Sequence, residues 1–151
     1  MRIALLLPLV LLGLAGPVAA APSGFGLQLG ASFDYSDLLG GVHYLLPITH
    51  RIVLAPSIDL GPAGGVGAIT LNGNAHFNLS PDAEIGPYVG AGISSFSAGP
   101  SDDTSDAPDE AGPTLIGGVW FNRHGGTAYS LEGRFGFSGL PAFTALVGVT
   151  F

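Results

Sequence analysis

The chain has no cysteine and no lysine, and only 10% of its residues are charged. Without cysteine there is no disulfide framework, no thiolate nucleophile and no cysteine-built zinc site. Four arginines against eleven acids leave no basic patch to follow a phosphate backbone, so nucleic acid is a poor partner. A water-facing surface is usually about a quarter to a third charged, which argues against a soluble globule. Beyond residue 20 the chain also lacks any run of roughly 18 to 20 apolar residues, the length a membrane helix requires.

What is present begins with an export signal. Arg2 precedes an apolar run from Ile3 to Leu14, and Val18-Ala19-Ala20 offers small residues for cleavage before Ala21. Pro8, Gly13, Gly16 and Pro17 interrupt the run, as suits a leader more than an anchor. Residues 1–20 are therefore assigned as a cleaved signal peptide and residues 21–151 as one domain, large enough to fold without staples. Loss of Arg2 leaves that domain one unit more negative than the −7 of the whole chain.

The domain is dominated by alternation. From Phe25 the positions Phe25, Leu27, Leu29, Ala31, Phe33 and Tyr35 are apolar, while Gly26, Gln28, Gly30, Ser32 and Asp34 between them are small or polar. The same period of two recurs from Gly67 to Leu79, where Ile69, Leu71, Ala75 and Phe77 oppose Thr70, Asn72, Asn74, His76 and Asn78. A helix cannot sort residues this way. Ile52 to Leu60, Tyr129 to Phe137 and Phe143 to Phe151 repeat it clearly; Val42 to Ile48 and Pro87 to Ser94 do so less cleanly, and Leu115 to Phe121 is apolar on both faces. These make eight strands of about ten residues, the length that crosses a bilayer at a barrel tilt. Connections rich in Gly, Pro, Asp or Ser separate them at 36–38, 49–50, 61–65, 80–83, 99–111, 124–126 and 138–140. With both ends in the periplasm the longest connection, 99–111, faces outward.

Charge decides which face meets lipid. The polar faces carry mostly Gly, Ser, Thr and Asn with a few charges, and suit a narrow hydrogen-bonded lumen better than a solvated surface. Aromatics gather at both strand ends: Phe33, Tyr35, Phe96, Phe135, Phe137 and Phe143 outward, and Phe25, Tyr44, Phe77, Tyr88, Trp120, Phe121, Tyr129 and Phe151 toward the periplasm. Two girdles result, with Tyr88, Phe96 and Trp120 on the inward register. The expected fold is all-β, an eight-stranded antiparallel up-and-down transmembrane β-barrel.

With Gly86-Pro87-Tyr88-Val89-Gly90-Ala91-Gly92 and the closing Phe143-x-Ala145-x-Val147-x-Val149-x-Phe151, the domain resembles the small outer-membrane barrels typified by the membrane domain of outer membrane protein A. The resemblance spans residues 21–151. It implies residence in the outer membrane of a diderm bacterium, contact with outer-membrane lipid, and Phe151 as the address read by the barrel-assembly machinery. The chain departs from the two-domain members by ending at Phe151, so no peptidoglycan-binding domain is expected to follow, and a monomer is expected. These motifs specify an architecture and not an activity.

The candidate lumen charges are Asp34, Arg51, Asp59, Glu132 and Arg134. Glu132 and Arg134 lie two apart on one strand, enter the lumen on one side, and can pair with Arg51, Asp59 or Asp34 across it, because buried charges must be paired or stay wet. Of the histidines, His50 and His124 fall in inner turns beside Arg51 and Arg123, and His43 and His76 on inward faces. No metal site or cofactor is expected from them. Some barrels that resemble this one modify lipids with a Ser, a His and an acid near the outer rim; no such set occurs here, so no catalytic residue is assigned. Asp102, Asp103, Asp106, Asp109 and Glu110 make the outward connection an acidic, solvated loop, with a cation-bridged surface partner as its sharper reading. The functional expectation is a structural or surface-interaction barrel without a wide pore. A narrow ion channel is the alternative, ahead of a lipid-modifying enzyme or a soluble secreted binding barrel.

Overall fold

The computed structural model describes residues 22–34, 37–63, 66–99 and 109–151. Eight antiparallel strands follow one another around a closed barrel: β1 (Gly24–Ser32), β2 (Asp37–Pro47), β3 (Ile52–Ala63), β4 (Val66–Asn78), β5 (Gly86–Ala98), β6 (Asp109–Phe121), β7 (Ala128–Gly136) and β8 (Thr144–Thr150). β1 pairs with β8 from Gly26↔Thr150 to Ser32↔Thr144, and the seam is extended by Phe151 N donating to Phe25 O at 2.9 Å and Phe33 N to Phe143 O at 3.1 Å. Closure matters because an open edge would leave a row of unpaired backbone groups.

The ladder is staggered. Partners followed around the ring run Pro47↔Val53↔His76↔Gly90↔Ile116↔Arg134↔Thr144↔Ser32↔Asp37, which returns to β2 at its opposite end. Such a shear tilts the strands and sets an interior just wide enough for side chains to fill. It also explains how Arg134, near the end of β7, faces residues from the middle of other strands.

Burial alternates as the pleat requires. Leu29, Leu38, Ile58, Leu60, Leu71, Ile93, Leu115, Leu131 and Val147 point outward and are exposed. Gln28, His43, Asp59, Asn72, Asn74, His76, Glu132 and Arg134 point inward and are buried. A surface this apolar over a core this polar inverts the soluble pattern and belongs in hydrocarbon. The ambiguous sixth segment resolves by the same rule: Ile116 and Trp120 face in, Leu115 and Phe121 face out.

The girdles are built by pairing. At the end of the barrel that holds the chain termini Phe25 lies beside Tyr44, Ile52 beside Phe77, and Phe121 beside Tyr129, with Phe151 next in the belt. On the outer side the Phe143 ring sits between Phe33 and Phe135, at centroid distances of 5.2 and 4.8 Å, and lies over Gly133. A Cβ at Gly133 would stand 3.2 Å from that ring, so the glycine lets the aromatic cover the strand. Inside, Gly118 does the same for Tyr88, whose ring occupies the space a Cβ would take.

Several boundaries differ from the sequence expectation. β6 starts at Asp109, so Asp109, Glu110 and Ala111 are strand and not loop; they pair with Ser97, Phe96 and Ser95 of β5. β2 starts at Asp37 and β3 runs to Ala63, which consumes most of the expected connections at 36–38 and 61–65. Backbone pairing continues there because the ladder of the partner strand is already laid down. The expected leader, Tyr35, and Asp102, Asp103 and Asp106 lie outside the described residues.

Candidate functional site

The middle of the lumen is organised by one arginine. Arg134 donates through Nη1 to Asp59 Oδ2 at 2.8 Å and through Nε to Glu132 Oε1 at 2.5 Å. All three residues are buried. β7 supplies Glu132 and Arg134 because residues two apart on a strand share a face; β3 supplies Asp59 from across the barrel. The two carboxylates compete for a single guanidinium, whose fork geometry satisfies both at once.

Neutral groups complete the cluster. The other oxygen of Glu132 accepts from Tyr88 Oη at 2.6 Å. Asp59 Oδ2 accepts from Asn72 Nδ2 at 2.9 Å, and Asp59 Oδ1 accepts from Gln28 Nε2. Gln28 Oε1 is then the acceptor for His43 Nδ1 at 3.1 Å, and His43 Nε2 bonds Thr150 Oγ1 at 2.8 Å. Toward the outside, Ser94 Oγ bonds Asn72 Oδ1 at 2.6 Å and Thr114 Oγ1 at 2.8 Å.

Below the charges, toward the end that holds the chain termini, aromatic rings occupy the lumen. His76, Tyr88 and Trp120 stack at centroid distances of 4.7 and 5.0 Å, packed among Leu45, Val53, Ala55 and Ile116. His76 Nε2 lies 3.6 Å from Glu132 Oε2. Above the charges, Phe96, Ala68, Ala98 and Leu140 form a second apolar group around an outward vestibule. Arg123 lies at the mouth on the side of the chain termini, with Nη1 donating to Ser80 O at 2.8 Å and its guanidinium lying against Gly86.

Of the sequence candidates, Asp59, Glu132 and Arg134 come together. Asp34 and Arg51 do not, and both assignments to the lumen are corrected. β1 ends at Ser32, so Asp34 sits in the following turn, exposed, with Oδ2 accepting from Phe143 N at 3.2 Å. Arg51 precedes β3 in an exposed turn and lies over the Phe77 ring, 5.9 Å from its centroid. Strand parity cannot be extended past a strand's end, where the backbone turns. Phe151 is exposed beside β1, and Glu110 is half-buried against Gly139. His50 and His124 are exposed in the turns between β2 and β3 and between β6 and β7. Gln28 and Tyr88 were not singled out by charge, yet each ties two members of the network. Their signal was weak but present: Gln28 is the chain's one glutamine, and Tyr88 carries a hydroxyl on an inward position.

As chemistry, the arrangement is a plug. His43 and Thr150 present a base beside a hydroxyl, but both are buried and the adjoining cavity is lined by Gln28, His76, Glu132 and Leu146 with no room for a substrate. No cluster of three metal-ligating side chains occurs among the described residues.

The fold and this packed polar lumen define the class of small closed transmembrane-type barrels. The chain is similar in structure to the N-terminal β-barrel domain of Pseudomonas aeruginosa OprF, with a TM-score of 0.62, 17% identity, and coverage of 85% of this chain and 96% of that one. It is also similar to a transmembrane β-barrel designed de novo, with a TM-score of 0.54, 15% identity, and coverage of 86% and 95%. No family model matches the chain, and no curated protein matches it. At such identities the likeness is one of fold.

Removing Glu132 tests the cluster. Glu132→Ala leaves Arg134 Nε and Tyr88 Oη without their acceptor and is expected to cost about 3 to 5 kcal/mol, the range for breaking a buried pair. Glu132→Gln keeps an acceptor and is expected to cost clearly less. Denaturant unfolding of both variants in detergent checks this; equal midpoints would mean that Glu132 is solvated.

Proposed function

We propose that the protein is an integral outer-membrane β-barrel with a structural or surface-interaction role and no wide pore. The observation that carries this is the filled lumen: the Arg134 cluster and the His76–Tyr88–Trp120 stack together span the barrel's width. The charged groups named there are spent on one another and on neighbouring side chains, and the stacked rings pack against the apolar wall, which leaves little room for a continuous path for solutes. The apolar exterior with its two aromatic belts supports residence in a bilayer, and the fold neighbours support an outer membrane. The bonded cluster disfavours the narrow-channel alternative, because ion passage would require Arg134 to leave both carboxylates.

The purified barrel in planar bilayers is expected to carry no sustained current, and to fractionate with the outer membrane and change gel mobility on boiling. A stable large open level would overturn the closed-lumen reading, and recovery in the soluble periplasm would overturn the membrane reading.

The surface role is proposed for the acidic outward connection that contains Asp102, Asp103 and Asp106 and runs into Asp109 and Glu110 of β6. Cation-bridged contact with an anionic surface suits it, because exposed charges of one sign repel such a surface until a divalent ion intervenes. Replacing residues 101–108 by a Gly-Ser linker is expected to preserve heat-modifiable mobility, since loop length costs little, and to remove any chelator-sensitive whole-cell binding. Binding that is the same in both forms would take the loop out of the account.

A further inference from the structure

We propose that the outward vestibule binds a small organic cation with an apolar stem, of the linear alkyl amine or diamine class. The vestibule is a small cleft of about 60 Å³ that opens outward. Its floor is made by Asp59 and Arg134, and Phe96 and Leu140 furnish apolar wall above them.

Three separate features select the ligand. The first is charge. The buried cluster holds two carboxylates, Asp59 and Glu132, against one guanidinium, so it retains one negative charge. Uncompensated buried charge is costly, and a cation lodged above Asp59 offsets it. Asp59 accepts from Gln28, Asn72 and Arg134. A carboxylate offers about four acceptor positions, so about one is left for an ammonium N–H.

The second feature is Ser32. It is only 5% exposed, it lines the vestibule, and its Oγ has no hydrogen-bond partner within the protein. Buried hydroxyls are normally paired, and this one is placed to accept from a donor entering the cleft. The third is the mouth. Among the described residues at the outer strand ends none is Lys, Arg or His, whereas Asp34, Asp37 and Glu110 stand there. A rim of one sign concentrates cations and repels carboxylates and phosphates. Apolar walls between the Asp59 carboxylate on the floor and an anionic rim match a molecule with charge at its ends and methylenes between.

The test is calorimetric titration of the detergent-folded barrel with cadaverine, with pentanediol and glutarate as matched neutral and anionic probes. Saturable binding of cadaverine alone is expected. Asp59→Asn removes a charge-assisted bond worth about 1.5 to 3 kcal/mol, so binding should weaken at least tenfold. Ser32→Phe fills the cleft while leaving Asp59 in place, and should abolish binding; it carries the test if Asp59→Asn does not give a heat-modifiable barrel. No saturable heat with cadaverine, equal binding of the diol, or binding undiminished by Ser32→Phe would overturn the proposal.

Discussion

The interior depends on one guanidinium shared by two carboxylates. Two acids and a base taken out of water cost several kcal/mol per ion unless each finds partners, and Arg134 supplies the partner for both Asp59 and Glu132. The remaining acceptor capacity is met by uncharged donors: Tyr88 on one side, Asn72 and Gln28 on the other. Such a cluster adds little net stability compared with an apolar core of equal volume. Its consequence lies elsewhere. It ties β1, β3, β4, β5 and β7 to a single point, and so fixes the shape of a lumen whose walls are otherwise held only by neighbouring strands.

The exterior obeys the complementary constraint. In hydrocarbon every backbone group must be satisfied inside the protein, which only closure of the sheet achieves here. The stagger that closes the ring also fixes the radius, and at that radius side chains meet across the interior. Polar contents, closed wall and apolar surface are thus one solution. Glycine enters where two of its demands collide, as at Gly118 under the Tyr88 ring and Gly133 under Phe143.

The fold was legible in the sequence because a period of two, visible in seven of the eight segments, survives without any knowledge of pairing. Parity along β3 and β7 was enough to send Asp59, Glu132 and Arg134 inward. It failed for Asp34 and Arg51, since each lies just beyond a strand end, where alternation ceases to report direction. It also stopped Asp109 and Glu110 short of β6, because composition marks them as loop while the β5 ladder makes them strand. Who bonds whom was hidden for another reason. Arg134 meets Asp59 through a register summed over several hairpins, and no single segment encodes that sum.

A double-mutant cycle between Asp59 and Arg134, using Asp59→Asn, Arg134→Gln and the pair, measures the central interaction most directly. Groups in contact within one network couple by about 0.5 to 3 kcal/mol, so the account predicts a coupling of at least about 1 kcal/mol from unfolding in detergent. Effects that add to within about 0.5 kcal/mol would show the two residues to be independent, and would contradict a lumen organised around Arg134.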